Sequence, residues 1–175
     1  KTGAIATDGY GRTNEVNVYA AGDCAEAENV VTEMPDYVPL ALTANRRGRA
    51  VGQTVAGNPK TGGPIAGTAV VKVFDMEAAR TGIIDHDRAE KAGFDPVSKT
   101  ITTRPRAHYY PGGGPIKITM TADKGTKRLL GASIVGEEGV SKRIDSVATA
   151  LYSALTVPGV EELDLSYAPP FGPTW

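Results

Sequence analysis

The segment EVNVYAAGDCAE, residues 15–26, places a carboxylate and the chain's only cysteine side by side after a strand-like run. Two kinds of chemistry fit this order. Cys24 could be a nucleophilic thiol, or Asp23 could accept hydrogen bonds from cofactor hydroxyl groups while Gly22 lets the cofactor approach the backbone. The sequence places no histidine near Cys24 to activate it, so we interpret this residue as a small, buried side chain. Taken alone, Asp23 could equally be a turn residue or a helix cap.

A second candidate site is the basic segment RPRAH, which could bind an anion such as a phosphate. Its three cationic side chains are those of Arg104, Arg106 and His108. A strand face exposed to water explains the same alternation, and on the residues alone we favour this simpler interpretation. The arginines of ANRRGR are likewise interpreted as the solvated face of a helix: Arg46, Arg47 and Arg49. No cluster of metal-ligating residue types has usable spacing in the sequence.

The composition of the 175 residues is that of a globular protein. A net charge of -1 argues against partners attracted by bulk electrostatics, so we expect no nucleic acid and no membrane as a partner. No apolar run reaches the roughly 18 residues of a membrane-spanning helix, and no signal-peptide pattern is present. A single cysteine cannot form an internal disulfide, which favours a cytoplasmic location.

Few secondary-structure elements are predicted in the first third of the chain, which contains Asp23 and Cys24. Short strands are predicted over residues 3–8 and 16–22. A helix is predicted over residues 38–57, with Pro39 in its first turn and Gly57 at its end. The segment NPKTGGP that follows has the composition of a linker. These elements are too few to bury a core, so we expect the chain to be incomplete at its N-terminus.

After this linker the pattern changes to alternating strands and amphipathic helices. We predict five strands, the last two joined as a hairpin by DKGTKR: residues 68–75, 79–85, 96–106, 116–123 and 129–136. We predict three helices: a short one between Asp85 and Gly93, one over residues 139–155, and a short one over residues 160–165. This order indicates an α+β domain of antiparallel strands with flanking helices. The predicted domains are residues 1–60 and 61–175.

RTNEVNVYAAGDCAE, residues 12–26, closely resembles the second flavin-binding signature of the pyridine nucleotide-disulfide oxidoreductases. The resemblance implies that Asp23 binds the ribityl chain of FAD and that Gly22 allows its close approach. The segment YVPLALTANRRGRAVGQTVAG is similar to the family helix whose N-terminus faces the pyrimidine edge of the flavin. It implies contacts from the backbone amides of Leu40 and Ala41. The first predicted domain would then be the last piece of an α/β FAD-binding domain.

The segment from about residue 67 onward resembles the dimerisation domain of the same family. Two motifs in it, RAHYYPGG and LDLSYAPPFGPTW, match the coenzyme A-disulfide reductase and NADH oxidase-like branch. In these reductases a tyrosine of the second motif enters the partner subunit's active site, which implies this role for Tyr167. Tyr109 and Tyr110 compete for a similar role, one expected to be functional and the other part of the core. The anion bound by the basic segment would be the phosphates of coenzyme A.

The resemblance implies a homodimeric enzyme in which NAD(P)H reduces FAD, and FAD passes electrons to a cysteine thiol in mixed disulfide with coenzyme A. The family's GxGxxG fingerprint, redox-active cysteine and nicotinamide-binding insert do not occur in these residues. We therefore expect the chain to correspond to the C-terminal part of such an enzyme and to be inactive alone. Two alternatives stay open: an NADH oxidase or peroxidase of the same family, and a non-catalytic dimerisation module.

Overall fold

The computed structural model describes residues 2–174 and divides into two compact units, one ending at Gly67 and the other beginning at Thr68. The division therefore falls after the segment interpreted as a linker. Ile65, the residue after that segment, is buried in the first unit. Its N–H donates to the Glu28 carbonyl at 2.8 Å, and its carbonyl accepts from the Val30 N–H at 2.9 Å. These backbone bonds attach the end of the segment to the first unit.

The first unit contains little regular secondary structure. Its strands β1, Ala27–Glu28, and β2, Pro35–Asp36, form a two-stranded antiparallel ribbon. The longer strands predicted over residues 3–8 and 16–22 are wrong, because within residues 2–174 these segments make only single bridges, Ile5 with Ala25 and Arg12 with Tyr19. Residues with positive φ interrupt the extended conformation of both predicted strands: Gly3 in the first, Asn17 and Gly22 in the second.

The helix α1, Ala41–Val55, begins later than the sequence predicts. Leu40 is its N-cap, with φ of -132° and ψ of 139°, so Pro39 precedes the helix and does not lie in its first turn. The Leu40 N–H donates to the Val38 carbonyl at 2.9 Å, a tight turn that excludes helical geometry there. The predicted end of the helix is confirmed, since Gly57 follows the C-cap with φ of +86°.

The buried side of α1 includes an arginine that was predicted to be solvated. Arg47 is only 4% exposed, and its guanidinium donates to the Thr7 hydroxyl at 3.1 Å and to the Asp8 carbonyl at 3.2 Å. Burial lowers the pKa of Arg47, and the neighbouring Arg46 lowers it further. The prediction of a solvated arginine face is therefore wrong for Arg47, while Arg46 and Arg49 are exposed.

The second unit is a five-stranded antiparallel sheet with helices, which confirms the predicted α+β fold class. The strands are β3 Ala69–Val73, β4 Met76–Gly82, β5 Pro96–Thr103, β6 Ile116–Asp123 and β7 Leu129–Gly136. Their spatial order is β3-β4-β7-β6-β5, with β3 and β5 at the edges. The helices are α2 His86–Lys91, α3 Val140–Tyr152 and α4 Val157–Glu161.

The core of the second unit lies between the sheet and α3, which packs on β4 and β7. Ile144, Val147 and Leu151 of α3 are buried, as the predicted apolar face requires. Ile134 of β7 is also buried. Burying a large aliphatic side chain contributes about 1.5–3 kcal/mol, so this layer dominates the stability of the unit. The carboxylate of Glu77 accepts from the Val140 N–H at 3.3 Å and so caps the start of α3.

The last helix was predicted over residues 160–165 but lies earlier in the chain. The Thr156 hydroxyl caps α4 by accepting from the Gly159 N–H at 3.2 Å, and proline occupies its first turn. These are strong helix-start signals that the sequence already carries in TVPG. The short helix α2 is confirmed, and the Asp85 carboxylate caps it by accepting from the Arg88 N–H.

Candidate functional site

The Gly22-Asp23 pair forms the start of a turn, closed by a hydrogen bond from the Ala25 N–H to the Gly22 carbonyl at 3.2 Å. Gly22 has φ of +87°, a conformation that favours glycine. A Cβ atom at Gly22 would lie 3.7 Å from the Ala44 Cβ, so the turn stands against the first turn of α1. The Asp23 side chain is exposed. The structure therefore places the predicted carboxylate on an accessible rim beside the start of the helix.

The start of α1 offers backbone donors at this rim. The first N–H groups of a helix lack intrahelical acceptors and carry a partial positive charge. The N-cap Leu40 has an apolar side chain that cannot accept from them, and the first turn contains no acidic residue. Of the two predicted amides, that of Leu40 already donates to the Val38 carbonyl. Ala41 belongs to the first turn of α1 proper.

Cys24 does not have the environment that the sequence predicted. It is exposed and not buried, because it occupies the turn that follows Gly22 while the next residue, Ala25, pairs with Ile5. Its thiol lies 3.5 Å from the Ala21 carbonyl, a contact that provides no base. A thiol needs a base or a cationic neighbour to become a good nucleophile, so this contact gives no support for catalysis by Cys24.

Two of the three candidate tyrosines meet in the second unit. The hydroxyl groups of Tyr109 and Tyr167 are 3.2 Å apart, and these residues are 70% and 48% exposed. Tyr110 is half-buried, and its ring faces the Arg106 guanidinium at 6.0 Å. The hydrogen bond with Tyr109 is the main cause that raises the pKa of Tyr167. The structure thus brings Tyr109, and not Tyr110, to Tyr167.

The three predicted cationic residues line one cavity of about 470 Å³. Its wall consists of Thr102, Thr103, Arg104, Arg106, His108, Gly113, Gly114, Pro115 and Pro173. The favoured interpretation as a strand face is wrong, since β5 ends at Thr103 and all three residues follow it. Arg106 is neutralised by Glu138, with Nε and Nη2 at 2.6 and 2.7 Å from the two carboxylate oxygens. Arg104 and His108 are the remaining basic side chains of the cavity wall.

Glu138 is a residue that the sequence analysis missed. It lies just beyond β7, far along the chain from Arg106, and it is brought there because β7 and β5 run antiparallel to β6 between them. Local periodicity reports which face of an element is buried but not which distant charges meet. From the sequence one could expect only that the guanidinium N–H groups of Arg106 need acceptors, without knowing which residue provides them.

The described part of the chain contains no group of three or more His, Cys, Asp or Glu placed to hold a metal ion. Nor does any helix within residues 2–174 have the length and apolar character needed to cross a membrane. The groups that the structure does assemble are an exposed carboxylate beside a helix start, a pair of phenols, and a cavity lined by basic side chains.

Comparison with known proteins matches residues 68–175 to the pyridine nucleotide-disulphide oxidoreductase dimerisation domain. The chain is 39% identical over its full length to the NAD(P)H sulfur oxidoreductase (CoA-dependent) of Pyrococcus furiosus, covering 39% of that protein. It is 34% identical to coenzyme A disulfide reductase of Staphylococcus aureus, a match that covers 98% of this chain and 39% of the relative. The chain thus spans about two fifths of the length of these relatives.

A solved structure agrees with these sequence matches. The NAD-dependent persulfide reductase from A. fulgidus superposes with a TM-score of 0.91 at 38% sequence identity, covering 99% of this chain and 32% of that one. The resemblance stated from the flavin signature and the tyrosine motifs is therefore confirmed at the level of the family. The chain belongs to the pyridine nucleotide-disulphide oxidoreductases, and its residues 68–175 form their dimerisation domain.

Proposed function

We propose that this chain is part of a FAD-dependent NAD(P)H:disulfide oxidoreductase whose substrate is coenzyme A disulfide or a related small disulfide. The observation that carries the proposal is the exposed pair of phenols, Tyr109 and Tyr167, in the same unit as a cavity lined by basic side chains, of which His108 precedes Tyr109 in the chain. The names of the relatives, a CoA-dependent sulfur oxidoreductase and a coenzyme A disulfide reductase, support the choice of substrate class. They favour a disulfide acceptor over oxygen or peroxide.

The residues proposed to hold FAD are Gly22, Asp23, Leu40 and Ala41. When bound, FAD would supply the transfer of an electron pair from NAD(P)H to a disulfide. The exposed Asp23 carboxylate would accept hydrogen bonds from ribityl hydroxyls, and the positive φ of Gly22 keeps the backbone open to close approach. The N-terminus of α1 would favour negative charge on the flavin ring. Ala41 can donate directly, whereas the Leu40 N–H would first have to leave the Val38 carbonyl.

The residues proposed to act on the substrate side are Tyr109 and Tyr167. Phenols are protonated at neutral pH, and the hydroxyl that accepts within the pair keeps its own O–H free to donate to a thiolate. Arg104 and His108 are proposed to bind the phosphates of coenzyme A, with Arg106 contributing to the cavity wall. Tyr110, packed beside Arg106, is proposed to be a supporting residue and not a reactive one.

The proposed assembly is a homodimer in which the tyrosines complete the partner's site. Family membership supports dimerisation by residues 68–175. The hairpin of β3 and β4 presents a set of exposed apolar residues of the kind that marks interaction surfaces: Val70, Val71, Val73, Phe74 and Met76. Twofold symmetry would then place each pair of phenols in the site of the opposite subunit.

The test uses the longest native polypeptide that contains these 175 residues. We expect a flavin spectrum, NAD(P)H-dependent loss of coenzyme A disulfide with release of two thiols, and a sharp loss of bound flavin in Asp23→Ala. Asp164→Ala, which removes an exposed acid of the second unit, is the matched control. Formation of hydrogen peroxide or water without disulfide loss would replace the proposal with the oxidase alternative. A flavin-free dimer without turnover would leave only a dimerisation module.

A further inference from the structure

The loop of residues 104–115 is built around the side chain of Arg106. Its guanidinium contacts both carboxylate oxygens of Glu138, and its Nη1 donates to the Pro111 carbonyl at 2.8 Å. The Arg106 side chain therefore bridges two points of the loop, residues 106 and 111, and Tyr109 lies between them in the chain. A fork of this kind fixes direction as well as distance, because a planar guanidinium bonds a carboxylate in a single plane.

Two glycines allow the loop to pass close to this ion pair. A Cβ atom at Gly112 would lie 2.8 Å from the Arg106 Nη1, and one at Gly113 would lie 3.0 Å from a Glu138 carboxylate oxygen. Both glycines have positive φ, +81° and +75°. Gly112 and Gly113 thus allow the backbone to pass within contact distance of the Arg106–Glu138 pair, both by their positive φ and by their lack of a Cβ atom.

Tyr109 depends on this loop for its position. Its side chain is largely exposed, so packing does little to fix its ring. The loop is also tied to the segment that carries Tyr167, since the Ala107 N–H donates to the Pro169 carbonyl at 3.0 Å. Arg106 therefore holds one side of the phenol pair, while the backbone bond from Ala107 holds the register between the two segments.

We propose that Arg106, through its ion pair with Glu138, is a positioning residue that keeps the Tyr109 hydroxyl within hydrogen-bonding distance of Tyr167. The pair is half-buried, with side chains 30% and 34% exposed, and its two parallel bonds fix the direction of the Arg106 side chain, so the role assigned to it is geometric. The effect of Arg106 on catalysis rests on the function proposed above, whereas its effect on the position of Tyr109 does not. Removing the fork displaces Tyr109, and the Tyr167 hydroxyl then loses its hydrogen-bonding partner.

The experiment follows the ionisation of Tyr167 directly, by fluorine NMR of the protein labelled with fluorotyrosine. Assignments come from Tyr109→Phe and Tyr167→Phe. We expect Tyr109→Phe to lower the pKa of Tyr167 toward its ordinary value, since the hydrogen bond is the main cause of the raised value. Arg106→Lys should produce the same lowering, although it keeps the positive charge. In the Tyr109→Phe background, Arg106→Lys should add nothing further.

The matched control is Arg104→Lys. This is the same substitution in the same cavity wall, and we expect the pKa of Tyr167 to be unchanged. A wild-type pKa of Tyr167 in folded Arg106→Lys would overturn the proposal, as would an unchanged pKa in Tyr109→Phe. If Arg106→Lys does not fold, Glu138→Gln removes one partner of the fork while keeping its shape, and the same two criteria apply.

Activity distinguishes this inference from the proposed function. If the native polypeptide reduces disulfides, Arg106→Lys should lower kcat by up to about 100-fold, the loss expected when a reacting group is misplaced by about an ångström. The double variant of Arg106→Lys and Tyr109→Phe should have about the same kcat as Tyr109→Phe alone, because both changes remove the same contact. If no disulfide is reduced but Arg106→Lys still changes the ionisation of Tyr167, the positioning role stands and the proposed function is wrong. Full multiplication of the two losses would show that Arg106 acts independently of Tyr109.

Discussion

The two units differ in the side chains that they bury in their interiors. The second unit buries large aliphatic side chains of its strands and helix almost completely: Ile83, Ile116, Leu129, Leu130, Ile134, Ile144 and Leu151. The first unit has strands of two residues, and its buried set includes the polar side chains of Asn29, Arg47 and Thr54. The second unit also buries polar side chains, those of Thr81, Thr121 and Asp123. The contrast therefore lies in the aliphatic layer, since within the described residues of the first unit the large buried aliphatic side chains are those of Val31 and Ile65.

Asn29 illustrates how the first unit works. Its side-chain amide donates to the Asp36 carboxylate at 2.8 Å, and its carbonyl oxygen accepts from the Val31 N–H at 2.9 Å. A buried polar group is stabilising only while all its partners are present, because an unsatisfied donor or acceptor carries the full cost of desolvation. The rim proposed to face the flavin therefore lies in a unit with a polar framework, while the two tyrosines lie in a unit with a large aliphatic core.

The largest predicted effect comes from the apolar layer. Ile134→Ala should lower the free energy of unfolding of the second unit by about 2–5 kcal/mol, since it removes buried methylene and methyl groups and leaves a cavity. Its neighbour Val135 points to the opposite face and is partly exposed, so Val135→Ala should change stability by no more than about 0.5 kcal/mol. Chemical denaturation measures both, and equal effects would contradict the one-sided core.

A smaller effect is expected from the polar framework. Arg47→Ala leaves the Thr7 hydroxyl and the Asp8 carbonyl without this donor and should cost the first unit about 1–3 kcal/mol. Hydrogen exchange of the Gly11 amide, which donates to the Asp8 carbonyl at 3.0 Å, reports this loss locally. The exposed Arg49→Ala is the control, with an expected change below about 0.5 kcal/mol. Unaltered exchange in Arg47→Ala would show that the first unit does not depend on this contact.

The smallest effect concerns pH. The Thr126 hydroxyl donates to the Asp123 carboxylate at 2.6 Å and is the main cause that lowers the pKa of Asp123, followed by the N–H groups of Thr126 and Asp95. Because the folded pKa is the lower one, the stabilisation is present above the ordinary pKa of aspartate and is lost as the pH falls through the lowered value. Asp123→Asn should therefore lower Tm at neutral pH, and this difference should shrink in acid.

The matched variant for this pH measurement is the exposed Asp164→Asn. It should show the same acid dependence of Tm as the wild type, because it leaves the turn at Thr126 intact. A constant difference in Tm between Asp123→Asn and the wild type at all pH values would contradict the assignment of this stabilisation to the ionised carboxylate.

The sequence predicted the second unit well and the first unit poorly, for a physical reason. In the second unit, alternation and amphipathicity extend over five to thirteen residues, so local pattern and burial agree. In the first unit, the segments around Ile5 and Tyr19 form only single bridges, with Ala25 and Arg12, which are too short to leave a periodic pattern. The N-terminal boundary of α1 was missed because the turn at Val38 replaces the helical first turn that Pro39 allows.

The sequence suggested which residues belong to the candidate site, but not which of them contact each other. Tyr109 and Tyr110 are adjacent and chemically identical in the sequence, and only the wrapped loop decides which hydroxyl reaches Tyr167. The ion pair of Arg106 with Glu138 joins residues from opposite sides of a hairpin, a separation that local periodicity cannot report. The burial of Arg47 was missed because its neutral acceptors, a hydroxyl and a backbone carbonyl, leave no charge pattern.

The contact between the two phenols limits how many protons they can deliver. Each phenol has one O–H bond, and the hydroxyl that donates within the pair uses its only donor hydrogen in that bond. Only the accepting partner keeps an O–H free to point elsewhere. The two tyrosines together thus present a single outward donor at any moment, and exchanging which ring supplies it requires both hydroxyls to rotate in concert.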